Sequence, residues 1–394
     1  MSRPSHAAER FALVAGGGTA GHLQPALAVA EALVEAGHSR ESIEFIGSDR
    51  GQDRATLEGR GFPFILLPGR GIVRSLTPGA LVANAGAAAG LAAAAVQALA
   101  IVVRARPQVV VAVGGYASLP AAAAAVILGT PLVLVNIDAV PGAANRLLGR
   151  FARASAVGWE GNPLPRAVVT GTPVRPEIAA VNRAPEHRRV ARLELGIPPD
   201  RQTVVAFGGS LGARRVNQAV EDLALRWKDR EDLSLYHIVG RRDWGGRAMG
   251  PRPEASGGPA SAPGLSHVAV PYEERMATVY AAADLVVCRA GAMTVAELAV
   301  AGVPSVLVPL PGAPGDHQTA NARVLERSGA AVILADQECD ADRLEGVVGD
   351  LLSDTSHLDA MGRAARAAGH PDAAAAGAAV VEQHARSDSG RGRR

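Results

Sequence analysis

A histidine, His22, stands where a glycine-rich turn meets an alanine-rich run, in Ala15-Gly-Gly-Gly-Thr-Ala-Gly-His-Leu-Gln-Pro25. An imidazole titrates near neutral pH, so at the mouth of a cleft it can take a proton from a hydroxyl. Taken alone, a helix-start histidine bonded to backbone explains it too. Half a chain later a second turn, Phe207-Gly-Gly-Ser-Leu-Gly212, offers successive backbone N–H groups and the Ser210 hydroxyl, a nest for a diphosphate. Arg175, in Val168-Val-Thr-Gly-Thr-Pro-Val-Arg-Pro176, can add a charge-assisted contact or form an ion pair between domains. A third region runs from Cys288 to Pro304. There Ala292, Met293 and Thr294 open a helical run with Glu297 one turn in. That carboxylate can accept two hydroxyls of a ribose diol, and the turn's backbone can read a uracil edge. As a lone residue Glu297 could equally be a cap. His317 and Gln318 follow a further apolar run and would reach sugar hydroxyls.

The elements that must hold these groups alternate. Apolar runs at Phe11–Ala15, Ile43–Ile46, Phe64–Leu67, Val109–Val113 and Leu132–Val135 predict strands. Helical runs lie between them, at Gln24–Glu35, along the Ala-rich segment after Ser75, at Ser118–Leu128 and at Gly142–Arg153. The pattern restarts after Pro176. Strands are expected at Thr203–Phe207, Leu235–Val239, Ser266–Val270, Asp284–Cys288, Ser305–Pro309 and Ala331–Leu334. Such alternation predicts an α/β chain with two Rossmann-like, doubly wound parallel-sheet domains facing a cleft. We place them at residues 11–172 and 173–370. A helix over about 371–386 is placed to pack back on the first domain. The ends, 1–10 and 387–394, and a Gly/Pro/Ser-rich insertion over 245–265 read as unstructured.

Composition narrows the function. The 394 residues suffice for two cores, and the net charge of +2 gives no basic footprint for nucleic acid. Neither Cys288 nor Cys339 has metal-ligand spacing, and reduced thiols of a cytoplasmic protein are expected. The start of the chain lacks the apolar core of a signal peptide. Residues 75–103 carry no charge, but Ala and Gly give little transfer energy, so a buried or membrane-facing helix is expected rather than a span. Arg70, Arg74, Arg104 and Arg106 flank it and would suit an anionic lipid surface, or simply solvated helix ends. No acidic pair suits a metal-bound diphosphate, so no obligatory cofactor is expected. Stimulation by Mg2+ without a protein-bound site is compatible with that.

The segments Gly16–Pro25, Gly114–Pro120, Thr170–Arg175, Gly208–Asn217, Arg289–Pro304 and Asp316–Ala322, in that order, resemble the MurG family of bacterial glycosyltransferases. The resemblance implies a GT-B fold and inverting transfer of N-acetylglucosamine from UDP-N-acetylglucosamine to the C4 hydroxyl of undecaprenyl-linked lipid I. It further implies peripheral binding to the inner leaflet of the cytoplasmic membrane and, as partners, other cell-wall synthesis proteins. Residue by residue, it makes His22 the candidate base and sets Gly17, Gly18, Tyr116 and Ser118 on the acceptor side. Thr19, Ala20, Gly21, Arg175, Ser210, Ala292, Met293, Thr294, Glu297, His317 and Gln318 fall on the donor side. The family's usual His-Glu-Gln-Asn run is Val135-Asn-Ile-Asp138 here, and Leu211 replaces a frequent glutamine. Asp138 falls where an asparagine faces the transferred sugar, and could bind a hydroxyl or act as a base.

Three other readings compete. Gly16–Gly21 fits a dinucleotide fingerprint, with Asp49 after the second strand as a ribose acid, but a dehydrogenase leaves the second half unused. A UDP-N-acetylglucosamine 2-epimerase would share architecture and donor. A degenerate paralogue would bind UDP-sugar or lipid as a scaffold without turnover.

Overall fold

The structure, a computed structural model, describes residues 10–17, 20–49, 53–68, 78–115, 117–209, 212–245 and 263–386, with only the backbone of 20 and 78–89. Gly18, Thr19, Tyr116 and Ser210, Arg70 and Arg74, nearly all of the 245–265 insertion and most of both ends therefore lie outside the described residues.

Most strands are rich in Val, Ala, Ile and Leu and buried on both faces, as parallel strands covered by helices require. In the first half these are β1 (Ala12–Gly17), β2 (Ile43–Ser48), β3 (Phe64–Leu67), β4 (Val109–Gly115), β5 (Leu132–Asn136), β6 (Ala154–Val157) and β7 (Ala167–Val169). They form one seven-stranded sheet, ordered β3-β2-β1-β4-β5-β6-β7, parallel throughout. The second half supplies β8 (Gln202–Phe207), β9 (Leu233–Ile238), β10 (Ser266–Val270), β11 (Leu285–Cys288), β12 (Ser305–Leu307) and β13 (Ala331–Ile333). Their order is β10-β9-β8-β11-β12-β13, again parallel. In each sheet the order reverses beside the first strand, β1 or β8, and ligands of such sheets bind beyond the strand ends at that point. The two halves are separate compact units: residues 1–175 with 371–394, and residues 176–370.

Two strands escape the periodicity. β6 is only Ala-Ser-Ala-Val, and β7 is an exposed edge. The helix expected over Gly142–Arg153 ends at Gly149. Past its end, Arg166 donates to the carbonyls of Ala152 (2.7 Å) and Arg150 (2.8 Å). The helix after β1 begins earlier than its sequence pattern, at Ala20, with Pro25 inside it. Lacking an N–H, Pro25 leaves the Gly21 carbonyl without its helical donor. The Ala-rich helix Pro78–Ala105 packs Ala94, Ala98, Ile101 and Val102 into the first unit's core. No helix among the described residues is long and apolar enough to cross a membrane.

The helix Ala373–His384 returns to the first unit and packs on Ala20–Glu35. Gly377 lets the helices approach, since a Cβ there would already touch Val29 Cγ2 at 3.4 Å. His38 Nε2 lies 2.9 Å from Glu382, and Arg386 reaches the Gly129 carbonyl at 2.6 Å. Val381 is fully buried there. Val381→Asp places an unpaired carboxylate in that core and should cost the first unit about 3 kcal/mol or more. Urea unfolding reads this as an earlier transition confined to one unit, and an unchanged profile would mean the helix contributes nothing there.

Candidate active site

In the first unit, the glycines after β1 and β4 interlock. A Cβ on Gly115 would overlap the Gly17 carbonyl oxygen, and Gly115 has φ +79°, so the two turns meet only as glycines. His22 enters beside them, half-buried, with its ring against Gly114: a Cβ there would sit 2.6 Å from Cδ2. Ser118 is buried and donates to the Gly115 carbonyl at 2.9 Å, so it shapes the second turn. A residue the sequence did not single out, Asp53, backs the first turn. Its carboxylate takes the place a Cβ on Gly17 would fill, and it accepts from the Ser48 N–H at 2.9 Å. Asp49, the candidate ribose acid, is exposed instead.

The unusual run after β5 is a built loop. Asn136 donates to the Asp138 carbonyl (2.7 Å) and accepts from Asn145 (3.0 Å), while Asn162 reaches the same Asp138 carbonyl at 3.3 Å. Thr172 donates to the Ile137 carbonyl at 3.1 Å. The backbone of Asp138 is thereby fixed, with its side chain half-buried. Arg175, also half-buried, closes the first stretch of this unit.

In the second unit, the turn after β8 needs Gly212. Its φ is +96°, and a Cβ would meet the Val239 carbonyl and the Asp243 carboxylate. Asn217 ties these together, donating to Val239 O at 2.9 Å and Asp243 Oδ2 at 3.2 Å. Its own oxygen accepts from His237 Nε2 at 3.1 Å. Burial, with His267 as a second cause, pushes His237 down to about 3, so its ring stays neutral and its Nε2 keeps the proton. Arg214 and Arg215 open the helix Arg214–Arg226 directly behind the turn. Asp336 lies 3.3 Å from Arg215 and 2.7 Å from Arg289, and Arg289 also donates to the carbonyls of Val308 and Pro309 at 3.1 Å. These contacts link the loops after β8, β11, β12 and β13.

The helix Ala292–Ala301 begins at Gly291, with Ala292 buried and Met293 and Thr294 half-buried in its first turn. Glu297 lies one turn further, held through Oε2 by the Tyr280 hydroxyl at 2.9 Å. At the start of the helix His317–Arg327, His317 Nδ1 donates to the Pro314 carbonyl at 2.8 Å, leaving Nε2 as the ring's acceptor when neutral. Gln318 accepts the Leu310 N–H at 2.9 Å through Oε1, which fixes its NH2 as the outward donor end. The buried Asn321 anchors the same helix to the Ala290 carbonyl at 3.3 Å.

Residues 12–157 match the Glycosyltransferase family 28 N-terminal domain, and residues 203–376 the Glycosyltransferase family 28 C-terminal domain. The chain belongs to glycosyltransferase family 28. It is 39% identical to a UDP-N-acetylglucosamine--N-acetylmuramyl-(pentapeptide) pyrophosphoryl-undecaprenol N-acetylglucosamine transferase of Desulforudis audaxviator, over 92% of this chain and 95% of that one. A like-named transferase of Nocardioides sp. is 40% identical over 90% of this chain and 93% of its own length. A crystal structure of Acinetobacter baumannii MurG aligns over 95% of this chain and 99% of that one, with TM-score 0.70 and 27% identity. The resemblance to the MurG family holds along the chain, and the fold is the GT-B arrangement of two parallel-sheet Rossmann-like units.

In family 28 terms, Glu297, His317, Gln318 and the Gly208–Gly212 turn collect at one edge of the second sheet, and His22 and Ser118 at the equivalent edge of the first. Asp53, Tyr280 and Asp336 were not legible as site residues, since each is a single polar residue with no motif around it, and the turn, glutamate or arginines it meets are set by the fold. Gly212→Ala tests the fit of the second turn. The strained φ and the clash with Val239 O should destabilise the second unit by about 2 kcal/mol or more, measured by denaturant unfolding. Unaltered stability would mean the turn relaxes without cost.

Proposed function

We propose that the chain transfers N-acetylglucosamine from UDP-N-acetylglucosamine to the C4 hydroxyl of undecaprenyl-diphospho-N-acetylmuramoyl-pentapeptide, with inversion, in peptidoglycan synthesis. The observation that carries the reading is the chemical asymmetry of the two glycine turns. Both have a carboxylate behind them, Asp53 and Asp243, but only the first carries a histidine, His22, and only the second is followed by two arginines, Arg214 and Arg215, at a helix N-terminus. One suits a hydroxyl nucleophile, the other a leaving diphosphate. The names of relatives aligned along nearly the whole chain support the same substrates and speak against the epimerase and dehydrogenase readings.

In this reading His22 takes the proton of the attacking C4 hydroxyl, with Asp138 as the alternative base. The bond from the anomeric carbon to the diphosphate breaks as the new glycosidic bond forms. The charge that develops on UDP is met by the backbone N–H groups of the second turn, the Ser210 hydroxyl and Arg175. Glu297 holds the ribose diol, Ala292 to Thr294 the uracil, and His317 and Gln318 the sugar hydroxyls. No protein-bound metal takes part, and Mg2+ stimulates at most through the free diphosphate. The lipid acceptor calls for docking at the inner leaflet. Exposed Val96 and Val103 on Pro78–Ala105 and Ile127 on the helix packed against it, beside Arg104 and Arg106, support such docking.

The deciding measurement is UDP release by purified protein with and without a lipid I analogue. Release should depend on the acceptor and fall by roughly a hundredfold or more in His22→Ala. Binding of UDP-N-acetylglucosamine without release in either condition would overturn the transferase reading in favour of a scaffold. Tyr280→Phe removes one hydrogen bond to Glu297 and should raise the donor KM by about fivefold with kcat nearly unchanged. An equal fall in kcat would instead put Glu297 in the chemical step.

A further inference from the structure

At the opposite edge of the second sheet, where strands begin, lies a cavity of about 390 Å³. Gln202, Asp284 and Pro304, at or just ahead of the starts of β8, β11 and β12, form its floor. Arg183 and Arg188 line one wall, and Asp359, Arg363 and Arg366, from the helix Thr355–Ala368, line the other. Behind the first wall, Arg192 donates to Asp284 and to the Pro199 carbonyl. The loops after the strands, with Glu297 and the second glycine turn, are at the far ends of these same strands.

The arginines outnumber what they bind. Asp284 is shared by Arg188, Arg192 (2.7 Å) and the Thr203 N–H (2.6 Å). Arg183 donates to the carbonyls of Tyr280 (2.6 Å) and Ala283 (2.7 Å), and Arg192 to Ala282 (3.1 Å), at the end of the helix Met276–Ala282. Arg366 donates to the Ala301 carbonyl at 3.1 Å, at the end of Ala292–Ala301. Arg363 is exposed and makes no ion pair with any described residue. Five guanidinium groups, four lining the cavity and Arg192 behind it, thus stand against two carboxylates and two helix C-termini worth about half a negative charge each, which leaves the cluster roughly two charges positive. Burial, then the neighbouring Arg188, pull Arg183 down to about 9, with Arg366 and Arg192 adding to the effect and Asp284 opposing it. A structural role in capping helix ends would need no such surplus, and it does not account for Arg363.

We propose that this cavity is a binding site for a dianionic phosphate group, separate from the sugar-donor site. Guanidinium forks match phosphate oxygens in geometry as well as charge. The phosphate can be free in solution or the monoester headgroup of a lipid.

The test titrates inorganic phosphate into the full chain by calorimetry, comparing wild type with Arg363→Glu and Arg188→Gln. Arg363 has no described partner to lose, and Arg192 keeps Asp284 paired when Arg188 is changed, so both variants should fold. The expected result is saturable phosphate binding weakened by about tenfold or more in each variant, a change of roughly 1.4 kcal/mol, with UDP affinity unchanged. No binding by wild type at millimolar phosphate, or equal binding by the variants, overturns the proposal. Flotation with phosphatidylcholine vesicles containing phosphatidic acid then separates the sources. Flotation lost in Arg363→Glu and competed by phosphate supports a lipid headgroup. Flotation unaffected by the variant, with phosphate binding still sensitive to it, supports a soluble phosphate.

Discussion

Every strand pairing in both sheets is parallel. In such a sheet all carbonyl ends of the strands fall on one edge and all amino ends on the other, and each return passes through a covering helix. The chain therefore has no choice about where its polar loops gather. The turns after β1 and β4, the turn after β11 that opens Ala292–Ala301 and the helix start carrying His317 and Gln318 all emerge at the carbonyl edge of their unit. Chemistry collects there because direction is shared, while the segments themselves are scattered through the chain.

Direction alone does not fix the loops at the precision that sugar transfer needs. Two kinds of contact do so. At some points backbone meets backbone with no room for a Cβ, as at Gly17 against Gly115 and at Gly212 against Val239. At others one polar residue ties several loops, as Asp336 does for Arg215 and Arg289, and Asn217 for Val239, Asp243 and His237. The Val135–Asp138 run follows the same logic. Asn136, Asn162 and Thr172 hold it through the carbonyls of Ile137 and Asp138, and Asn145 in turn holds the Asn136 side chain.

Much of this was visible in the sequence for physical reasons. Buried parallel strands read as unbroken Val/Ala/Ile runs, and glycine turns mark where helices begin, so most strands and the turns around His22, Gly208 and Glu297 could be placed. β6 and β7 could not, since a four-residue Ala-Ser-Ala-Val run and an exposed edge carry no burial signal. The helix after Gly142 looked longer than it is, and the residues that follow it are held instead by Arg166, from further along the chain. Asp53, Tyr280 and Asp336 were missed because a partner is set by the fold, and nothing in spacing tells that Tyr280 will meet Glu297. The same holds for the arginines around Asp284, which come together from residues 183 to 366.

The helix Ala373–His384 closes the first unit from the far end of the chain. A ribosome delivers residues in order, and domains usually complete themselves as they emerge. Here the first unit must wait. Val29 and the rest of Ala20–Glu35 stay open to water on one side until the whole second unit has left the exit tunnel. The unit made first is finished last, and for that interval the growing chain carries one apolar helix face uncovered.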